Sequence, residues 1–396
     1  MNLLPMDETH SRLARLIAPL TVDQFFDAYW QKEIYVANRN SPVANDWVCR
    51  IDDIDELLSD VALPATQVNL GQSAEGVSMQ IYSRGDYIDG AQVLRLHRSG
   101  KTIIIRAAHL WLPKVRELCE HFSGLFHCET QANLYLTPAG THSSYPHWDA
   151  HDIFVIQLAG SKRWLLYESH LEYPLPSYRF DRDRHSVGEC NAEFVVHSGD
   201  LAYVPRGAVH HPLATDYSVH IALGVLVKTW ADLAVQMLPE IIARDSRLRK
   251  AMPVVANKGF DVERCLEEMP NLDRFLNDAS LRRQALLALT REVEHGRGVR
   301  TRGQLNQFAR AASVSLDTIV ELPFSSLAKV ETTAEECRIL FNGAELKAGP
   351  DHVSALTFIK MHGCVRTGDI PGQSDAHRIA LVQKLVDEGC LTIQNP

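Results

Sequence analysis

Two neighbouring segments, Asn133-Leu-Tyr-Leu-Thr-Pro-Ala-Gly140 and Tyr145-Pro-His147-Trp-Asp149, decide how this chain is read. In the first, Asn133, Tyr135 and Thr137 alternate with Leu134 and Leu136, the period of a strand with one polar and one apolar face. Pro138-Ala-Gly140 then breaks the strand. In the second, His147 and Asp149 stand two apart, so on extended backbone an imidazole and a carboxylate point to the same side. A third ligand has to come from a distant strand, and Ser198-Gly-Asp-Leu-Ala-Tyr-Val-Pro-Arg-Gly-Ala-Val-His210-His211 offers it. There a turn leads into a strand, a Pro-x-Gly turn follows, and His210 comes next. His211 and His220 compete with His210 for the third position. His151 and Asp152 are near, but their side chains alternate and cannot both face a metal beside Asp149. Two histidines and one carboxylate leave coordination positions open, which suits iron(II) handling a co-substrate and O2. A structural zinc site would close with four protein ligands.

Outward from this centre the pattern is of many short strands. Runs at Lys101–Arg106, Ala132–Thr137, Ile153–Leu158, Arg163–Tyr167, Glu193–His197, Leu201–Val204 and Val219–Val227 are separated by Gly160-Ser161, Ser198-Gly199 and Pro205-Arg-Gly207. Such spacing predicts a barrel or jelly roll. Helices are expected before it at Thr21–Gln31 and Asp52–Ala62. After it, Thr229–Asp245, Leu281–Glu294 and Leu305–Ala312 form a helical block, a type of appendage that often packs against a second copy of itself. The last region predicts helices at Asp351–Met361 and Asp375–Glu388, then a strand at Cys390–Gln394, an order that suits a winged helix. From Pro323 onward there are seven basic and nine acidic residues. A DNA-reading wing is normally basic, so DNA binding is not expected.

The chain has 396 residues, 45% hydrophobic and 22% charged, with a net charge of -9. This is the composition of a globular protein too long for one small domain. The charge favours basic partners, such as ribosomal proteins or basic peptides, over nucleic acid. No apolar run reaches the length of a membrane span. The opening MNLLPMDETH lacks a basic segment followed by an apolar one, so a cytoplasmic protein is expected. The eight cysteines form no CxxC pair and read as reduced structural thiols.

The run from Asn133 to Tyr167, NLYLTPAGTHSSYPHWDAHDIFVIQLAGSKRWLLY, together with GDLAYVPRGAVHH, resembles the JmjC-type cupin core of the ribosomal oxygenases. The resemblance implies an α+β chain. Residues 1–228 would be a double-stranded β-helix, the cupin or JmjC jelly-roll barrel, residues 229–320 a helical dimerisation region, and residues 321–396 a winged-helix-like domain. It implies a homodimer in which His147, Asp149 and His210 hold Fe(II), with 2-oxoglutarate and O2 as co-substrates. Lys162, thirteen residues after Asp149, would bind the far carboxylate of 2-oxoglutarate. Asn133 would contact the co-substrate, Tyr135 would line the pocket, and Ser144 stands where some relatives place a hydroxyl donor. The reaction implied is hydroxylation of a side chain in a protein, a ribosomal protein in the family's usual case. A peptide natural product, a modified tRNA base or a non-enzymatic cupin scaffold are the other readings. Ala222 and Gly224 stand where the family carries hydroxyl residues, which puts its usual histidyl specificity in doubt.

Overall fold

The computed structural model of the chain describes all residues except 1–7, 40, 72–75, 143, 169–170, 179, 182, 256–258, 297–304, 306–312, 323–327, 333–336, 342–343 and 395–396. It divides into two compact units, Met1–Val227 and Lys228–Pro396.

In the first unit, helices α1 (Glu8–Ile17) and α2 (Val22–Ala28) precede strand β1 (Tyr35–Ala37). Thr21 and Gln24 form a reciprocal capping box at the start of α2. Then come α3 (Ile51–Asp60), β2 (Val68–Leu70), the short hairpin strands β3 (Ser83–Arg84) and β4 (Tyr87–Ile88), α4 (Gly90–Arg98), β5 (Ile103–Ile105) and α5 (Pro113–Phe126). The site-bearing strands follow: β6 (Glu129–Thr137), β7 (Asp152–Tyr167), β8 (Cys190–His197), β9 (Leu201–Val204), β10 (Val209–Leu213) and β11 (Ser218–Leu226).

Strand β7 belongs to two antiparallel layers. Its first half lies between β9 and β11, in the order β1-β9-β7-β11-β6-β5-β2; its second half lies between β8 and β10. The turn expected at Gly160-Ser161 is therefore a bend within one sixteen-residue strand. Gly160 has φ +63°, and a Cβ there would sit 1.5 Å from the Tyr217 carbonyl oxygen. Only glycine allows the neighbouring backbone so close while holding the left-handed conformation. Gly160→Ala is expected to cost about 3 kcal/mol or more; a urea midpoint equal to wild type would contradict this.

Alternation decides which side chains face inward. On β11, Val219, Ile221, Leu223 and Val225 enter the main core, as do Ala132, Leu134 and Leu136 of β6 and Phe154 and Ile156 of β7. That core continues into α1, α2 and α5 through Leu13, Phe25 and Phe122, with Phe154 edge-on to Phe122 at 5.0 Å. The opposite faces carry Tyr135, His220 and Ala222, plus Ile153, Val155 and Trp164 packed on Val196, Ala202 and Val204. Asp152 is fully buried and accepts hydrogen bonds from the Tyr203 hydroxyl (2.6 Å) and the Gln31 amide (3.2 Å), so its carboxylate is turned away from Asp149.

The second unit holds two separate apolar cores. One joins α6 (Trp230–Arg244) to the short helix α8 (Asp273–Leu276) and to α9 (Ala279–Gly296) through Met237, Ile241, Phe275, Leu281 and Ala285; the hairpin strands β12 (Val254–Val255) and β13 (Gly259–Phe260) and helix α7 (Val262–Glu268) lie between α6 and α8 in the chain. The other gathers β14 (Ile319–Glu321), β15 (Lys329–Thr332), β16 (Cys337–Phe341), β17 (Ala344–Ala348), α10 (Val353–His362), β18 (Cys364–Arg366) and α11 (Asp375–Asp387); the last strand, β19 (Thr392–Ile393), pairs with β14. The helix expected at Leu305–Ala312 lies, apart from Leu305, outside the described residues.

Candidate metal centre

His210 lies on β10, whereas His147 and Asp149 lie on the irregular segment before β7, not on a regular strand as expected. A local bridge replaces the strand. The His147 N–H donates to the His210 carbonyl at 3.1 Å, and the His210 N–H returns the bond to His147 at 2.8 Å. Directly opposed residues of an antiparallel pair project to one side, so the two imidazole centroids are 4.6 Å apart. Asp149 reaches both: its Oδ2 is 3.6 Å from each Nε2. Its position is fixed through the backbone, where the Asp149 carbonyl accepts from Gly207 N–H at 3.0 Å. Gly207, in the Pro-x-Gly turn, has φ +85° and so needs glycine.

The second nitrogens complete the arrangement. His147 Nδ1 lies 2.8 Å from the Tyr145 carbonyl, and His210 Nδ1 lies 2.9 Å from the Ala208 carbonyl. A carbonyl only accepts, so each Nδ1 carries the proton and each Nε2 turns its lone pair toward Asp149. Burial, with the nearby His147, pushes the His210 imidazole down to about 4. Burial acts against ionisation of Asp149, but His147, His151 and His210 outweigh it and hold its carboxyl below the usual range. Two imidazoles and one carboxylate fit a first-row divalent ion with open positions.

The three residues line a cavity of about 330 Å³ together with Tyr135, Ser144, Trp164, Phe180, His220 and Ala222, among others. Trp164 is 5.3 Å from the His210 ring. Two residues earlier on the same face of β7 is Lys162, fully buried, its Nζ donating to Thr137 Oγ1 at 3.0 Å. Burial alone drives the Lys162 ammonium down to about 7, and among the described residues no carboxylate pairs with it. Its neighbour Arg163 points outward into an ion pair with Glu193. His220 stacks flat on Tyr135 at 4.8 Å, within the same cavity. Burial, then Asp149, pushes the Tyr135 phenol up to about 12, so it stays a donor.

His211 is not brought to the cluster. It alternates away from His210 and meets His142 edge-on at 5.3 Å. Asn133 does not line this cavity. Its Oδ1 accepts from Ala107 N–H at 3.1 Å, and it lines a second cavity of about 720 Å³ that shares Ile104 and Tyr135 with the first. Gly224 has its own physical reason. A Cβ there would stand 2.6 Å from the His151 ring, so the imidazole occupies the space a side chain would need. Sequence reasoning missed Trp164 and Thr137 as parts of the site. The i, i+2 relation of Trp164 to Lys162 was the available signal.

Residues 109–233 match the JmjC domain family. It is similar to the bifunctional lysine-specific demethylase and histidyl-hydroxylase NO66 of Drosophila mojavensis, 29% identical over 63% of this chain and 29% of that protein. The Culex quinquefasciatus protein of the same name is 28% identical over 63% of this chain and 40% of its own length. Across the curated relatives considered, this chain spans between 29% and 42% of their length. Among solved structures, the ribosomal oxygenase YcfD of Escherichia coli superposes with a TM-score of 0.53 at 15% identity, covering 95% of this chain and 98% of YcfD. YcfD in complex with cobalt and 2-oxoglutarate gives 0.52 at 15% identity, covering 95% and 99%. These likenesses show the JmjC cupin fold.

Proposed function

We propose that this JmjC-domain chain, similar to the ribosomal oxygenases, is an iron(II)- and 2-oxoglutarate-dependent oxygenase that hydroxylates a side chain of a protein. The observation that carries the reading is Lys162. A buried ammonium with no anion is costly, and this one lies on the strand face that leads past Trp164 to the His-Asp-His cluster. A dicarboxylate with one end at the metal and the other on Lys162 and Thr137 removes the cost. Iron(II) and 2-oxoglutarate, when bound, supply O2 activation and the oxidation of a C–H bond. The chain's own residues do the rest. His147, Asp149 and His210 hold the metal, and the Tyr145 and Ala208 carbonyls fix the imidazole tautomers. Lys162 and Thr137 receive the far carboxylate. Tyr135 and His220 wall the inner pocket, Ser144 lines the outer part, and Trp164 excludes water. Asn133 acts through the adjoining cavity rather than at the metal. No side chain has to serve as a general base.

The relatives named as histidyl-hydroxylases and as a ribosomal oxygenase support a protein substrate. The net charge of -9 supports a basic one, such as a ribosomal protein, in the cytoplasm. No described helix is long and apolar enough to cross a membrane. Residues 229–320 are read as a homodimerisation region, supported by Trp230, Val235 and Ile242 exposed on α6. Residues 321–396 are read as winged-helix-like, supported by α10, α11 and the β18-β14-β19 sheet. Mass spectrometry of proteins from cells with and without the enzyme tests the substrate reading. One added oxygen on His, Arg or Lys of a basic protein, only when the enzyme is present, is the expected result. An unchanged proteome, together with no succinate formed from 2-oxoglutarate, refutes the oxygenase.

A further inference from the structure

Among the described residues, one other set of side chains brings three potential metal ligands together: Asp351, His352 and His377. Asp351 and His352 immediately precede α10, and His377 lies in the first turn of α11. Two elements distant in sequence thus converge. Asp351 Oδ1 is 2.9 Å from His352 Nδ1, and Oδ2 is 3.7 Å from His377 Nε2. The imidazole centroids are 4.6 Å apart at 70°. The buried His352 Nδ1 has no hydrogen-bond partner despite the close carboxylate, so the two atoms are not aligned on each other. Ligands held at 2.0–2.2 Å around a tetrahedral ion lie about 3.3 Å apart, and the two distances here straddle that value. Gly349 contributes space: a Cβ there would meet Asp351 Oδ1 at 2.5 Å, so glycine lets the carboxylate fold in beside the ring. Ser374 caps the backbone of His377 at 3.2 Å and sets the start of α11.

We infer that Asp351, His352 and His377 form a second metal site, for a zinc-class divalent ion, that ties α10 to α11. Two imidazoles with one carboxylate select a borderline first-row ion over magnesium or calcium, which prefer oxygen. Both histidines line a cavity of about 380 Å³, which has room for water or a small anion as the fourth ligand. Because the ligands come from separate elements, the ion stabilises the second unit by binding only its folded form.

Equilibrium dialysis of the metal-stripped full-length protein against micromolar zinc, with metal per chain read by atomic emission, tests this. The barrel cluster accepts zinc too, so wild type is expected to hold two equivalents. His377→Ala is expected to hold one, and Asp351→Asn, which keeps the side-chain shape, also one. Asp149→Ala loses the other equivalent. Zinc should raise the melting temperature of Asp149→Ala and leave that of Asp149→Ala/Asp351→Asn unchanged. Undiminished zinc in both His377→Ala and Asp351→Asn overturns the second site. Two equivalents retained by Asp149→Ala counts instead against the barrel reading.

Discussion

Lys162→Met is expected to melt at a higher temperature than the wild-type protein when both are ligand-free, and to lose the proposed binding of 2-oxoglutarate. The two effects have one cause. In the wild type an ammonium is buried with a single hydroxyl partner and no carboxylate among the described residues. Replacing even a paired buried charge by a well-packed apolar residue of similar volume is often neutral or stabilising by about 1–4 kcal/mol, and an ammonium with no counter-ion has more to gain. The loss of Thr137's partner returns about 1 kcal/mol of that. The same substitution removes the buried cation proposed to receive the far carboxylate of the co-substrate. Breaking a buried charge pair costs about 2–5 kcal/mol, a 30-fold to several-thousand-fold loss of affinity. Thermal unfolding and calorimetric titration with 2-oxoglutarate measure the two halves. A variant that melts lower yet binds 2-oxoglutarate normally would place Lys162 in the scaffold rather than the site.

The pH dependence follows with a definite sign. Burial lowers the Lys162 amine from 10.5 to about 7. Between those values the unfolded chain holds a proton that the native chain lacks, so this group makes stability rise with pH across the window. The advantage of Lys162→Met is therefore largest below pH 7 and fades toward pH 10.5. A bound dicarboxylate favours the charged amine. Above pH 7 binding must take up a proton, and affinity falls by up to about tenfold per pH unit. Titrations in buffers of different ionisation enthalpy will show that uptake. An affinity flat from pH 7 to 9 contradicts it.

The reach of the sequence can be traced through particular residues. The alternation of β6 and β11 was legible because one face of each strand is uniformly apolar: Leu134 and Leu136, or Val219, Ile221 and Leu223. The convergence of His147, Asp149 and His210 was legible from residue types and turn signals. The way it is achieved was not, since a single backbone bridge between two histidines leaves no periodic trace. Gly160 misled. It reads as a turn, but the close Tyr217 carbonyl makes it a bend inside β7, and that continuity is what carries Lys162 into the interior. Strand β10 was hidden because His210, His211 and Pro212 break both alternation and β propensity. The helix α5 was missed because buried Glu120 and His121 blur its apolar stripe. Gly224 looked like a lost hydroxyl, when its space is taken by His151, a side chain seventy-three positions away in the chain.

Asp149→Ala is expected to abolish the proposed product formation, and His211→Ala to leave it within a few-fold of wild type. Asp149 is the only carboxylate in the cluster, and its Oδ2 is equidistant from the two imidazole nitrogens. Without it the ion meets two imidazole rings and no negative charge. Loss of a group that merely orients a metal ligand costs 10- to 100-fold in affinity or activity, so loss of the charged ligand itself should exceed about 100-fold. His211 tests whether proximity alone would do. It is adjacent to His210 and its imidazole is pushed down to about 4, first by burial and then by His142 and His147, so it too is neutral and available as a donor. Direction separates the two. Successive residues of β10 face opposite sides, and His211 packs against His142 while His210 packs against Trp164. Anaerobic titration with iron(II) and 2-oxoglutarate, following the visible charge-transfer band, reads out the site, and Asp351→Asn run alongside separates it from the Asp351 cluster, whose cavity is also lined by Lys347 and Lys384. The band should persist in His211→Ala and vanish in Asp149→Ala and His210→Ala. If His211→Ala lost the band and His210→Ala kept it, the third ligand would be His211 and the orientation of β10 would have to be reversed.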